Sequence, residues 1–236
     1  MSIIGMDVEI PPGRVVVVID VIRAFTTAAV AFERGVSEIA CAPSLDAARD
    51  LRQRLPDHLI MGESRGLRPA DFDFGNSPFE LSTAPLDGRN LIQATSNGTR
   101  GLARCSAPAA LLAASARNVT ATARWITANR ADAPWTLLCT GRTAEDRACA
   151  DYLADLLGAP HPGRAGVGAD AEPSNAELVA GVRAGAAQHA DAFARRPASE
   201  FVDLADDLAF CCDVDRADFA MVGEVRGDHV VLRPVG

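Results

Sequence analysis

The chain has 236 residues, 48% hydrophobic and 23% charged, enough to bury a sizeable core in one large domain or two small ones. Its formal net charge of −8 argues against nucleic acid as a partner, because phosphate backbones are held by clustered Lys and Arg. All 23 basic residues are arginine, which removes Schiff-base chemistry, a lysine-anchored pyridoxal cofactor and a P-loop. Met1 to Asp7 has no basic n-region or long apolar run, so no signal peptide is expected. The continuous β-branched run Val15–Ile19 predicts a strand buried on both faces. Ala24–Arg34 reads as a helix ending at Gly35, Glu38–Ala42 as a short strand, and Leu45–Leu55 as a helix capped by Ser44 and stopped by Pro56. Leu59–Met61, Leu91–Ala94 and Thr136–Cys139 are further strand candidates, and Ala121–Asn129 and Asp146–Leu157 have helical composition.

Two stretches break the pattern. Gly62 to Pro78 is rich in Gly, Asp, Asn, Ser and Pro, and so long an irregular segment is functional or disordered; Phe72 and Phe74 argue against disorder. Gly158 to Ser174 is dominated by Gly, Ala and Pro, a crossing between lobes or a loop beside a site. Helices are expected over Asn175–His189 and Ser199–Leu208, and a hairpin from Phe219–Val225 and His229–Pro234. The expected fold is α/β, a mixed or mostly parallel sheet flanked by helices, with a C-terminal helical segment and β-hairpin. Residues 1–160 form the core that carries most site loops, and 161–236 a C-terminal lobe packed with it as one globular unit.

Chemistry is sought where strands end, since ligands of open α/β sheets collect at strand carboxyl ends. Asp20 follows the first such strand, with Arg23 where a helix begins; it either holds a divalent cation or caps that helix. Haloacid-dehalogenase-type phosphatases need a second acid two residues on, and Ile22 stands there. Glu63 and Arg65 offer a metal ligand beside an anion clamp, or an exposed loop pair. In Asp71-Phe72-Asp73-Phe74 the alternation buries the rings and turns the carboxylates the other way, and Asn76 and Ser77 precede a short capped helix. Asn97, Gly98, Thr99 and Arg100, between a strand and a helical run, suit an oxyanion cradle or a plain tight turn. Glu145 and Asp146 add carboxylates to a metal site or simply favour a helix N-terminus. A cysteine phosphatase needs arginine six positions after its cysteine; six past Cys139 lies Glu145. His58, His161, His189 and His229 fall outside all these segments and read as surface or packing residues, which disfavours a histidine-ligated zinc. The six cysteines form no C-x-x-C pair, consistent with a reduced, cytoplasmic protein.

In this order the segments resemble the 2-phosphosulfolactate phosphatase family over roughly residues 10 to 235. The resemblance rests on Asp20-Val21-Ile22-Arg23-Ala24 with Thr26-Thr27, Gly62-Glu63, Asp73-Phe74-Gly75-Asn76-Ser77-Pro78, Asn97-Gly98-Thr99, Gly141 with Glu145-Asp146, and Asp213. Phe25 stands where the family usually has a small residue, and Ser64 separates Glu63 from Arg65, departures that bear on the substrate more than on the reaction. The resemblance implies an α/β fold, Mg²⁺ dependence, and hydrolysis of a phosphate monoester of sulfolactate in coenzyme M synthesis. On that reading Asp20, Glu63 and Arg23 are catalytic. Asp20, Glu63, Glu145 and Asp146 are metal-side acids with Asp73 in reserve, and Arg65, Asn76, Ser77, Asn97, Gly98, Thr99 and Arg100 bind the ester. The expected partner is a small anionic phosphate ester, with no nucleic acid and no membrane. A homodimer is the expected assembly. Alternatives are a non-catalytic metal- and anion-binding protein and a purely structural α/β module.

Overall fold

The computed structural model describes residues 1–159, 161, 173–197 and 204–236. Strand β2 (Val15–Ile19) has every residue fully buried, because parallel strands β6 (Ala110–Ala114) and β7 (Trp135–Cys139) flank it and helices cover both faces. β1 (Ser2–Ile4) extends this block beyond β7. A second parallel block is formed by β3 (Ile39–Cys41), β5 (Leu91–Ala94) and β4 (Leu59–Gly62).

The two blocks are joined by the C-terminal hairpin. β8 (Ala220–Arg226) pairs antiparallel with β6, and β9 (His229–Val235) pairs antiparallel with β3, giving one nine-stranded sheet in the order β1-β7-β2-β6-β8-β9-β3-β5-β4. The hairpin expected from the sequence therefore lies at the centre of the sheet. It satisfies strand edges that the first 160 residues leave unpaired.

Both blocks face the same helix. α1 (Ala24–Glu33) has nine of its ten residues buried, against Val16, Val18, Leu111 and Ala113 of one block and Ile39, Cys41 and Leu91 of the other. Gln93 Nε2, on β5, donates to the Ala24 carbonyl at 2.9 Å, a buried tie across that interface. α4 (Gly98–Ala103) joins α1 there through Leu102. On the outer face α5 (Val119–Arg130), α6 (Ala144–Leu156) and α7 (Asn175–Ala194) pack on the β2 block, and α2 (Leu45–Arg54) packs on β3, β4 and β5. Ser44 caps α2 as expected, its Oγ accepting from the Ala47 amide at 3.1 Å. Two short helices remain, α3 (Pro78–Ser82) and α8 (Ala205–Cys211). The helix expected over Ser199–Leu208 falls partly outside the described residues, as does most of the irregular stretch from Gly158 to Ser174. No helix among the described residues is long and apolar enough to cross a membrane.

Gly62, at the end of β4, sits at φ +149° with its Cα against the neighbouring strand; a Cβ there would lie 1.9 Å from the Ala94 carbonyl oxygen. Gly62→Ala forces β4 off β5 as well as straining the backbone, and it is expected to cost about 3 kcal/mol in urea unfolding.

Candidate active site

Four strands deliver polar loops to one region: β2 ends at Asp20, β4 at Glu63, β5 at Thr95–Asn97 and β7 at Thr140–Gly141. A cleft of about 260 Å³ is lined there by Asp20, Arg23, Glu63, Arg65, Asn76 and Asn97. Of the residues singled out in the sequence, these six are brought together.

Asp20 is both cap and site. Its Oδ1 accepts from the Ala24 amide at 3.0 Å and so starts α1, while Oδ2 lies where any side chain on Gly98 would collide with it. Burial raises its pKa from 3.8 to about 6; hydrogen bonds from Ala24 and Thr140 oppose this, and the Glu63 and Glu145 charges add to it. Asp146 is also pushed up, by burial first and then by Asp20 and Glu145. Its oxygens are fully engaged: Oδ1 accepts from Val21 N (2.9 Å), and Oδ2 from Gly141 N (2.7 Å) and Thr140 Oγ1 (3.3 Å). Asp146 thus ties the β2 loop to the β7 loop from behind the cleft. Glu63 ties the β4 and β5 loops, with Oε1 accepting from Ser96 N (2.6 Å) and Oε2 from Gly66 N (2.5 Å) and Ser96 Oγ (3.1 Å).

Glu145 is 1% exposed. Its Oε1 takes Thr143 Oγ1 at 2.6 Å and His189 Nε2 at 2.8 Å, and its Oε2 has no hydrogen-bond partner among the described residues. Helix α7 comes close enough to cover it only because residue 185 is glycine; a Cβ there would stand 1.9 Å from Oε2. His189 also lines the cleft, which corrects its reading as a surface or packing residue. The buried face of α7 runs Leu178, Val182, Gly185, Ala186 and Phe193, and helical spacing alone places residue 189 on it.

Arg23 is buried and anchored by a residue the sequence did not single out. Asp207, on α8, accepts from Arg23 Nη1 at 2.5 Å through Oδ2, and from Ser77 Oγ (2.6 Å) and Phe79 N (3.2 Å) through Oδ1. Ser77 therefore serves the cap of α3 and this carboxylate from behind the cleft. Arg65 takes φ +54°, its amide donating to Ser96 Oγ at 3.2 Å, and its carbonyl accepts from Arg196 Nη1 at 2.5 Å.

Three expected residues lie elsewhere. Asp73 accepts from Arg52 Nη1 (2.9 Å) and the Ile60 amide (2.8 Å), holding the irregular segment onto α2 and β4. Asp71 likewise binds Arg49, so the acid–aromatic alternation does turn its carboxylates together, toward α2 instead of the cleft. Thr99 is buried in a reciprocal bond with Thr95 that closes the turn, and Arg100 lines a neighbouring cavity. Cys139 has its thiol pKa pushed far up by burial, so it holds no nucleophilic thiolate.

Among the described residues no three His, Cys, Asp or Glu side chains are grouped as a metal cage. The donor set still fits an ion such as Mg²⁺, which keeps several waters and takes one or two carboxylates. Asp20 and Glu63 line the cleft, Glu145 carries an orphaned buried oxygen behind it, and mutual repulsion among these acids would be relieved by a cation.

Comparison with known proteins gives a consistent result. A family model described as 2-phosphosulpholactate phosphatase matches residues 6–225. A Thermus thermophilus protein named probable 2-phosphosulfolactate phosphatase is 36% identical over 162 residues, 64% of this chain and 67% of its own length. Proteins of the same name from Symbiobacterium thermophilum (32% over 164 residues, 65% of this chain and 70% of theirs) and Deinococcus radiodurans (44% over 85 residues, 36% and 35%) are also similar. The matches thus span from about a third to about two thirds of these relatives' lengths.

Proposed function

Because the chain belongs to the 2-phosphosulfolactate phosphatase family, we propose that it hydrolyses a small anionic phosphate monoester in the cleft beside Asp20, with Mg²⁺ as cofactor. The substrate on this reading is 2-phosphosulfolactate or a similar phosphorylated hydroxy acid, the activity in the relatives' names. The observation that carries it is Asp20 itself. It is a buried carboxylate with its pKa raised to about 6, at the carboxyl end of β2, lining one cleft with three arginines, Arg23, Arg65 and Arg196.

Phosphate-monoester hydrolysis is slow in water, and its catalysis is mostly positioning and charge neutralisation. When bound, Mg²⁺ would be held by Asp20 and Glu63, with Glu145 behind, and would neutralise phosphoryl oxygens. Arg23, oriented by Asp207, and Arg65 bind non-bridging oxygens, and the Asn76 and Asn97 amides fix the ester's orientation. As water attacks phosphorus and the ester P–O bond breaks, the proton of the water passes by way of solvent to the departing alkoxide, which leaves as the alcohol; the pKa near 6 belongs to metal-free Asp20, and a bound cation would keep that carboxylate ionised. The ring of bonds around Glu63 and Asp146 holds the four loops at fixed spacing while this happens.

Phosphate release from a panel containing 2-phosphosulfolactate and 2-phospholactate tests the reading. Preference for the sulfonated ester supports reaction and substrate; release without preference keeps the reaction and removes the substrate. No release from any ester, with ligand-induced stabilisation intact, identifies an anion-binding protein on the same fold. Acid quench with labelled ester separates water from Asp20 as nucleophile, since a trapped phosphoprotein contradicts direct attack by water.

A further inference from the structure

The wall formed by Ser96 and Asn97 has a cavity on each account: both residues line the acid-bearing cleft, and both line a second cavity of about 400 Å³. The two differ in charge, because the cleft mixes Asp20 and Glu63 with Arg23, Arg65 and Arg196. Arg100, Arg104 and Arg142 line it, and no acidic side chain does. Arg49, Arg54, Arg147 and Arg233 are each neutralised by a carboxylate. Among the described residues Arg34, Arg89 and Arg130, also exposed, are not, and neither are the three cavity arginines; what sets these three apart is that they line one concavity. Arg100 and Arg104 donate only to the backbone carbonyls of Ser96 (3.4 Å) and Val8 (2.8 Å), and Arg142 has no hydrogen bond or ion pair among the described residues.

In a chain whose acids outnumber its bases by 31 to 23, three unneutralised guanidiniums around one concavity make a local positive potential against an acidic background. Guanidinium groups match the oxygens of a tetrahedral oxyanion bidentately, and three of them balance the charge of one dianion with cation to spare. Asn97 supplies a polar side chain at the same wall, and it makes no cap hydrogen bond to α4 that would occupy it.

We infer that this cavity is a second anion site, taking a small tetrahedral oxyanion, separate from the cleft in which Asp20 lies. Two sources share that chemistry: free inorganic phosphate, and the sulfonate end of a hydroxy acid reaching across the Ser96–Asn97 wall. The site depends on Arg104 and Arg142, whose side chains are exposed and carry little of the fold.

Calorimetric titration of the full chain tests this without turnover, so its failure is distinct from failure of the phosphatase reading. Wild type, the double variant Arg104→Ala/Arg142→Ala and the single variant Arg142→Glu are titrated with inorganic phosphate and, separately, with 3-sulfolactate. Arg124→Ala, which removes an exposed arginine paired with Asp218, is the control. Loss of phosphate affinity by about tenfold or more in both cavity variants, but not in the control, supports the site with phosphate as occupant. The same loss confined to 3-sulfolactate supports the site with the sulfonate end as occupant. Unchanged affinity for both probes in both variants, or equal loss in the control, overturns the inference.

Discussion

Asp20→Asn is expected to slow phosphate release by about a thousandfold or more and, at the same time, to make the metal-free protein more stable at pH 7.5. The two effects share one cause. Burial, with Glu63 and Glu145 nearby, raises the folded-state pKa of Asp20 from 3.8 to about 6. A carboxyl whose pKa is higher folded than unfolded favours the folded state when protonated. Its contribution is fully present below about pH 3.8 and is lost as pH rises through about 6. At about 1.4 kcal/mol per tenfold, that loss is about 3 kcal/mol. Asparagine keeps an oxygen to accept from the Ala24 amide but cannot ionise, so the variant should lack this part of the pH dependence. Urea unfolding of both proteins at pH 4.5 and 7.5, without divalent ions, measures it. A variant less stable than wild type at pH 7.5 would mean that the Asp20 charge is not the liability that its burial implies.

Asp207→Asn should lower stability by about 3 kcal/mol and kcat/KM by about a hundredfold, although residue 207 does not line the cleft. The carboxylate neutralises Arg23, and both side chains of the pair are less than a tenth exposed. Removing its charge leaves a buried guanidinium uncompensated, which costs more than the pair contributes when intact. It also frees Arg23 from the position in which it lines the cleft and donates to the Gly66 carbonyl. Arg23→Lys, which keeps the charge, should not restore activity, because an ammonium cannot hold Asp207 and a phosphoryl group in one planar fork. A salt-insensitive fall in kcat, together with a loss of stability, distinguishes this positioning role from a long-range field effect. Wild-type kcat/KM in Asp207→Asn would refute it.

The local pattern of the chain announces much of the fold. Val15–Ile19 reads as a buried strand because five β-branched residues in a row suit little else, and Gly35 and Ser44 mark a helix end and start through backbone geometry. β6 escapes such reading because Ala-Leu-Leu-Ala-Ala has helical propensity; only pairing with β2 and β8 makes it a strand. The hairpin is legible as a hairpin, whereas its insertion between β6 and β3 depends on pairing over more than a hundred residues and leaves no local mark.

The site divides along the same line. Asp20, Glu63 and Asn97 follow strands, so strand ends point to them. Asp207 meets Arg23 across 184 positions with no local signal, and His189 meets Glu145 across 44, where helical spacing marks the face of α7 but not the partner. The partners of Asp73 and Asp71 are hidden for a related reason. Alternation fixed which way the carboxylates face, but the arginines of α2 that receive them are some twenty positions upstream.

The dependence of phosphate release on Mg²⁺ tests most directly whether the acids around Asp20 act through a divalent cation on a phosphate ester. Release from 2-phosphosulfolactate is expected to rise with Mg²⁺ to saturation, stop in EDTA and return when Mg²⁺ is restored. Full release in EDTA by protein stripped of metal would contradict it.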